Sequence, residues 1–374
     1  MKTFAIIGLG MALAPHMASL ADLKGRARLA YAVARSPARR AAFAQTYGIA
    51  ATDDLDAVLG DPAVDAVILL TPPDSHRDLG GRILSAGKHL LIEKPGGLVI
   101  LGDPAVDAVI LLTPPDSHRD LGGRILSAGK HLLIEKPGGL VTDDTRFLAD
   151  RARASGLLAA PVLQHRFRPA VRAVARIISS GETGRLCGVH CLIPWWRPQA
   201  YYDEPGRGTY ARDGGGVMLT QAIHTLDVLR ALCGGAVIRA AHAVKSPLHR
   251  MEAEDMVCAL AAFGPDAAPG TIMATTACYP GLPETMTLIF ERMTIRLRGL
   301  QAEVFHHDGQ VETLGGEGAS GSAADPMAFD HASHRDLISA FLDALEGRAA
   351  LPVDLSDLLQ TRDLIDAMTK DHWC

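Results

Sequence analysis

Residues 3–13 read Thr-Phe-Ala-Ile-Ile-Gly-Leu-Gly-Met-Ala-Leu, an apolar run broken by two glycines before a helical pattern begins. Thr3 to Ile7 has strand character, and the spacing from about Ala12 to Leu23 predicts a helix. Pro15 suits that helix's first turn, where backbone amides lack intrahelical partners. A strand, Gly8-Leu9-Gly10-Met11 and a helix N-terminus together let the backbone approach a pyrophosphate, which the helix end stabilises. Leu13 stands where a third glycine would complete G-x-G-x-x-G, so the match is partial and a plain strand–turn–helix is the alternative. The reading favours an α/β chain opening with a doubly wound parallel sheet of the Rossmann kind, with Gly8, Gly10 and Met11 against a dinucleotide.

Working outward, a second strand (ARLAYAVAR, residues 27–35) ends where an NAD-binding chain usually carries Asp or Glu for the ribose 2′-hydroxyl. Here stand Arg35 and Ser36, with Arg39 and Arg40 a turn later. No carboxylate repels a 2′-phosphate, and guanidinium groups are available to bind one. NADP is the expected cofactor, with NAD possible; otherwise these arginines solvate a helix face.

The 374 residues suggest two domains. Lys+Arg 37 against Asp+Glu 42 gives a net charge of −5, which argues against nucleic acid as partner. Hydrophobic residues at 48% and charged residues at 21% exclude general disorder. No apolar run approaches the ~18 residues of a membrane span, and MKTFAIIGLG lacks a signal-peptide pattern. Six cysteines are too sparse for a disulfide scaffold and fit a reducing, cytoplasmic setting. Cys187 and Cys191 lack a second Cys/His pair at ligand spacing, so they read as buried thiols, and no metal is expected.

The chain also repeats itself. Residues 58–99 (VLGDPAVDAVILLTPPDSHRDLGGRILSAGKHLLIEKPGGLV) recur as residues 100–141, differing only at Val58 against Ile100. Solenoid units drift in sequence and stack in threes or more, so two near-identical copies read as a tandem duplication. Each copy is a β-α-β unit: a strand apolar on both faces, a helix ending at Gly87 or Gly129, and a second strand, HLLIEKP. A doubly wound sheet has one place for such a unit beside its first strand. Displacing the first copy puts the insertion on the rim away from the strands' carboxyl ends. Displacing the second puts it after Glu93-Lys94-Pro95, on the active-site rim. The second copy also keeps its EKP turn joined to the helix start Thr142-Asp143-Asp144. The first copy is therefore expected to be displaced, exposing Ala66 to Leu70, and Lys136 rather than Lys94 to be the working lysine.

Gly8-x-Gly10, the Thr-Pro-Pro-x-Ser-His loop (Thr113 to His118) and Glu135-Lys136-Pro137 resemble the Gfo/Idh/MocA oxidoreductases. The likeness runs on through Gln164-His165-Arg166-Phe167-Arg168-Pro169, the Gly181–Gly184 turn, Pro194-Trp195-Trp196-Arg197-Pro198-Gln199, Tyr201-Tyr202 and Arg207-Gly208-Thr209. It ends with Asp213-Gly214-Gly215-Gly216 and Gln221-Ala222-Ile223-His224-Thr225-Leu226-Asp227. The resemblance implies a Rossmann domain over residues 1–160 and an α+β domain over 161–374, for substrate and for oligomerisation through a large, mostly antiparallel open sheet. It also implies cofactor contacts from Thr113, Pro114, His118 and Glu135. Independently, DMVCALAAF, GTIMATTACY, TMTLIF and MTIRLRG alternate as strands, and His334–Leu345 and Leu355–Met368 repeat at helical spacing. Gly315 to Asp325 reads as a flexible loop. Three departures stand out: Thr220 replaces the family's carboxylate four residues before the histidine, Glu291-Arg292-Met293-Thr294 replaces a Gly-rich hairpin, and the final segment after Asp371 is short.

Oxidising a sugar hydroxyl takes a hydride acceptor, a base for the hydroxyl proton and a cation near the developing alkoxide. By resemblance Lys136 (or Lys94) supplies the cation. His224, with an imidazole suited to proton transfer at neutral pH, is the acid/base candidate, against a satisfied core histidine. Thr220, His224 and Asp227 fall near one helix face; Asp227 orients the imidazole, or bonds to a backbone amide or an arginine. Trp196, Arg197 and Tyr202, with Trp195 and Tyr201, suit a polyhydroxylated ring, apolar on its faces and polar at its rim; aromatics also fill cores. Gln164, His165 and Arg166 are left between the nicotinamide end and a hinge. The expectation is an NAD(P)-dependent dehydrogenase or reductase acting on a sugar, cyclitol or derivative. The alternatives are a glycosidase using transient oxidation by NAD, and a catalytically silent dinucleotide-binding regulator.

Overall fold

The computed structural model describes residues 1–10, 13–23, 25–71, 75–92, 101, 104, 106–316 and 331–370. Met11, the first copy's Glu93-Lys94-Pro95, most of the Gly/Ala/Ser-rich stretch and residues 371–374 lie outside them. The chain divides into two compact units, residues 1–113 with 127–130, and residues 114–126 with 131–374. The division falls inside the second copy, between residues 113 and 131.

In the first unit, β1 (Lys2–Ile7) leads to α1 (Leu13–Asp22), β2 (Ala27–Val33), α2 (Pro37–Tyr47), β3 (Ala51–Thr52) and α3 (Leu55–Gly60). The first copy supplies β4 (Ala66–Leu69), α4 (His76–Ser85) and β5 (His89–Ile92). These strands form a parallel sheet of order β3-β2-β1-β4-β5. Ile6 and Ile68 face one layer with Met17 and Phe43; Ala5, Val67 and Leu69 face the other with Val58 and Ile83. The first copy is thus docked on β1, and Ala66 to Leu70 is buried, contrary to the displacement expected from sequence. The second copy's first strand, β6 (Ala108–Leu111), stands outside this sheet.

The second unit begins with α5 (His118–Ser127), β7 (His131–Ile134), α6 (Thr142–Ser155) and β8 (Ala159–Pro161), β7 and β8 pairing in parallel. Asp144 bonds back to the Val141 amide, and Gly156 closes α6 in the left-handed region. After α7 (Pro169–Ser179) come β9 (Leu186–Pro194), the short helices α8 (Gln199–Tyr202) and α9 (Tyr210–Asp213), and α10 (Ile223–Cys233). Then follow β10 (Ala236–Val244), β11 (Met256–Phe263), β12 (Ala268–Thr275), β13 (Thr285–Phe290), β14 (Met293–Arg298), β15 (Gln301–His306) and β16 (Val311–Gly315). Last are α11 (Ala332–Leu345) and α12 (Leu355–Thr369). The eight strands order as β10-β11-β12-β9-β13-β14-β15-β16, antiparallel except where β12 meets β9. α7, α10 and α12 pack on one face. The other leaves Leu260 and Ile289 exposed. The β13–β14 hairpin closes without glycine, neither Glu291 nor Arg292 having positive φ, and Glu291 accepts from the Arg185 amide and guanidinium. Cys191 is buried as expected, whereas Cys187 is exposed.

Candidate functional site

Gly8 has φ +101°, and a Cβ there would lie 2.7 Å from the Leu70 carbonyl carbon and 2.8 Å from the Thr71 nitrogen. Only glycine fits this turn. A Cβ on Gly10 would meet nothing within 4 Å, so the backbone beside α1's first turn is open to a ligand. This is a cradle a pyrophosphate fits, with no acidic side chain in that turn to oppose it. The residue packed on Gly8 is Thr71 of the first copy, where the sequence reading places Thr113. Ser36 caps α2 by accepting from the Arg39 amide at 3.4 Å. Arg40 is committed to the Ala34 and Arg35 carbonyls and to Asp53. Arg35 and Arg39 are exposed, and neither pairs with a carboxylate among the described residues.

In the second copy, Thr113 is buried. Pro114 gives its carbonyl to the Ser117 hydroxyl, and His118 is sealed at the start of α5. Glu135 accepts from the Lys136 amide at 3.1 Å. The Lys136 ammonium donates to the Thr220 carbonyl at 2.6 Å. Thr220 lies in a π-helical turn, Met218–Ala222, whose wider winding recurs at functional sites. Its hydroxyl donates to the Gly216 carbonyl at 2.6 Å, so the side chain faces its own helix. Gly216 leaves no room for a Cβ, which would fall 1.8 Å from the Glu254 carbonyl oxygen. Burial pushes the Lys136 ammonium below the usual lysine range. Glu135 and Asp213 oppose that shift, and Arg207 and Arg197 add to it.

His224 follows on α10, buried, with Nδ1 lacking any hydrogen-bond partner. Its ring packs 4.8 Å from that of His165. Burial, and then Lys136 and Arg168, hold the His224 imidazole well below its ordinary range, so it is neutral at physiological pH. His165 is held down likewise, by burial and then by Arg168. Arg168 donates to His165 Nε2 at 2.8 Å and pairs with buried Glu284 at 2.6 Å. A guanidinium only donates, so the His165 hydrogen sits on Nδ1, which is also buried without a partner.

Asp227 does not orient the imidazole. Fully buried, its carboxylate is gripped by Arg166 through two bonds of 2.6 and 2.7 Å and accepts from Thr361 at 3.0 Å. That pairing leaves it no face for a substrate. Tyr202 is also buried, its hydroxyl bonded to Thr276 at 2.7 Å, so it supports the site from behind. Trp196 remains half-buried, edge-on to the exposed Tyr279 ring at 5.6 Å. Arg197 is buried over the Trp195 and Tyr201 rings, at 5.5 and 5.9 Å.

Sequence reasoning missed Glu254, His249, Asp255 and Arg362. Glu254 accepts from the Gly216 and Met218 amides, and burial pushes its carboxyl up to about 7. Arg362 of α12 donates to the Pro137, Gly139 and Leu140 carbonyls, fixing the turn that follows Lys136. In sequence nothing singled them out: His249, Glu254 and Asp255 sit in the charge-rich run LHRMEAEDM, and Arg362 is followed directly by Asp363 on a helix.

Comparison with known proteins agrees with this architecture. The profile described as "Oxidoreductase family, NAD-binding Rossmann fold" matches residues 2–100 and again 98–161, and that of the "GFO/IDH/MocA C-terminal domain" matches 171–296. Among curated proteins, scyllo-inositol 2-dehydrogenase (NAD(+)) of Bacillus subtilis is 27% identical over 62% of this chain and 54% of its own length. The 1,5-anhydro-D-fructose reductase of Ensifer adhaerens is 32% identical over 52% and 46%. The chain spans only 39% to 54% of the first curated relatives it matches. The WlbA dehydrogenase of Bordetella pertussis, crystallised with NADH and UDP-GlcNAcA, superposes with a TM-score of 0.60 at 23% identity, covering 98% of this chain and 95% of that one. At that identity the likeness speaks for the fold.

Proposed function

The chain belongs to the Gfo/Idh/MocA oxidoreductase family, and on that premise we propose that it moves a hydride between a nicotinamide dinucleotide and a hydroxyl or carbonyl of a sugar, cyclitol or sugar derivative. The observation that carries this reading is Lys136 on the Thr220 carbonyl, in the unit that holds neutral His224. When bound, the dinucleotide supplies or accepts the hydride. Gly8 and Gly10 with the first turn of α1 hold its pyrophosphate, and Arg35 with Arg39 favours a 2′-phosphate, hence NADP. The Lys136 ammonium polarises the reacting oxygen, and His224 takes or returns its proton. Half-buried Trp196 binds the substrate's apolar face, and Arg197, buried behind it, holds the aromatic wall in place. The exposed apolar residues of the eight-stranded sheet support self-association through that face.

Titration with NADPH and NADH, read by nicotinamide fluorescence, followed by a screen of polyols, aldoses and cyclitols, tests the proposal. Tighter NADPH binding, and turnover lost in Lys136→Ala, support it. Dinucleotide binding without turnover of any of these points to a silent regulator. NAD that co-purifies, with glycoside cleavage and no net redox change, points to a glycosidase.

A further inference from the structure

Behind the Trp196–Arg197 segment lies a histidine–carboxylate pair with no part in the chemistry above. The side chains of His249 and Asp255 are both fully buried, and Nδ1 lies 2.7 Å from Asp255 Oδ2. The opposite nitrogen, Nε2, lies 2.8 Å from the Arg197 carbonyl oxygen. A carbonyl has no hydrogen to give, so Nε2 is the donor. Asp255 Oδ2 also receives the Ser246 hydroxyl at 2.6 Å, that hydroxyl in turn accepting from the Leu248 amide. Oδ1 receives the Ser246 amide at 2.7 Å. Every contact to this carboxylate is therefore a donor, and the hydrogen between it and His249 belongs to Nδ1. Burial works to raise the Asp255 carboxyl, but the bonds from His249 and Ser246 outweigh it and hold the group below its ordinary range.

We propose that His249 is a positioning residue: an imidazolium, hydrogen-bearing on both nitrogens, that ties the Trp196–Arg197 segment to Asp255 and so sets Trp196, the half-buried ring proposed to meet the substrate. The ring centroid lies 4.8 Å from that of Tyr202 and 5.8 Å from that of Trp196, both tilted to it, and aromatic neighbours at such distances favour a cation. Among the described residues no other charge is bonded to it: Glu254 is taken up by the Gly216 and Met218 amides, and Arg250 by Asp203. The same two segments are tied again by Gln199, which exchanges hydrogen bonds with the Arg250 backbone.

The protonation is independent of the proposed activity; the consequence for substrate rests on it. Long-range 1H–15N spectra of 15N-histidine-labelled full-length protein at about pH 8, where a free imidazole is neutral, read the ring directly. A doubly protonated ring that disappears in His249→Gln, or that shows contacts to the Tyr202 ring in the wild type if the variant does not fold, supports the proposal. A His249 ring carrying one hydrogen overturns it. With a turned-over sugar in hand, His249→Gln raises its KM about tenfold, with dinucleotide affinity unchanged. An unchanged KM refutes the positioning role even where the ring is cationic. If the wild type turns over no sugar, the activity reading fails while the spectrum still decides the ring.

Discussion

Lys136 has its ammonium on a backbone carbonyl, and among the described residues no carboxylate is bonded to Nζ to hold it charged. Replacing it with Met keeps much of the side chain's volume and removes the polar end. Turnover is expected to fall by about 10²- to 10⁴-fold, as for loss of a proton-transfer or polarising group, with NADPH titration showing that Gly8 and Gly10 still bind. Glu254 offers a second test, on stability. Burial pushes its carboxyl up to about 7 from an ordinary 4.5, so the folded state binds this proton more tightly than the unfolded chain does. The cost of ionisation is absent below the lower value, grows as pH rises between the two, and is complete above the higher. It reaches about 3 kcal/mol. Chemical denaturation at pH about 5 and about 8 should show that loss in the wild type and little of it in Glu254→Gln. Lys136 and His224 were legible in sequence because they sit in short motifs. His249, Asp255 and Glu254 were not, because their partners lie as far as 52 residues away and single charged residues carry no periodicity.

Among the elements, α12 fixes the geometry of the catalytic turn from a distance in sequence. Its Arg362, 2% exposed, supplies hydrogen bonds to three carbonyls of the turn, and a truncated side chain would remove the donor all three share. Arg362→Leu should destabilise the protein by about 2–5 kcal/mol, measured by denaturant unfolding, and Arg362→Lys should recover only part of that, because an ammonium lacks the planar fork. Helical spacing located α12 to within a residue, since its apolar stripe packs on α6 and on the sheet. The eight-stranded sheet was legible as alternating strands. Its order was not: β9 lies between β12 and β13, far from its sequence neighbours, and such long-range pairing is set by tertiary packing. The arrangement of Thr220 was hidden similarly, since its main chain, not its side chain, meets the lysine.

For the molecule as a whole, one sequence written twice folds into two burial patterns. In the first copy the leading strand is sealed, with Val67 and Leu69 fully buried, while β5 leaves Leu91 exposed. In the second copy β6 leaves Ile110 exposed, and β7 is sealed from Leu132 to Ile134. Sequence alone showed the repeat but assumed that one copy must fold and the other be displaced. The identical strings could not reveal that each copy buries one strand, because burial is decided by the neighbours, β1 for β4 and β8 for β7. β5 and β6 are then the surplus strands, and partly exposed apolar strands invite association. A chain lacking residues 58–99 has a single copy whose first strand can pair with β1 and whose second can pair with β8, sealing both. It should unfold at a higher temperature than the full chain, aggregate less and still bind dinucleotide. Removing residues 100–141 instead gives the same chain with Val rather than Ile at one site. Val58 is fully buried, so the two deletion proteins should differ by only about 0.5–1.5 kcal/mol, the worth of one core methylene. Calorimetry and NADPH titration of both decide the matter. A deletion protein that folds but no longer binds would mean that dinucleotide binding needs the duplicated chain.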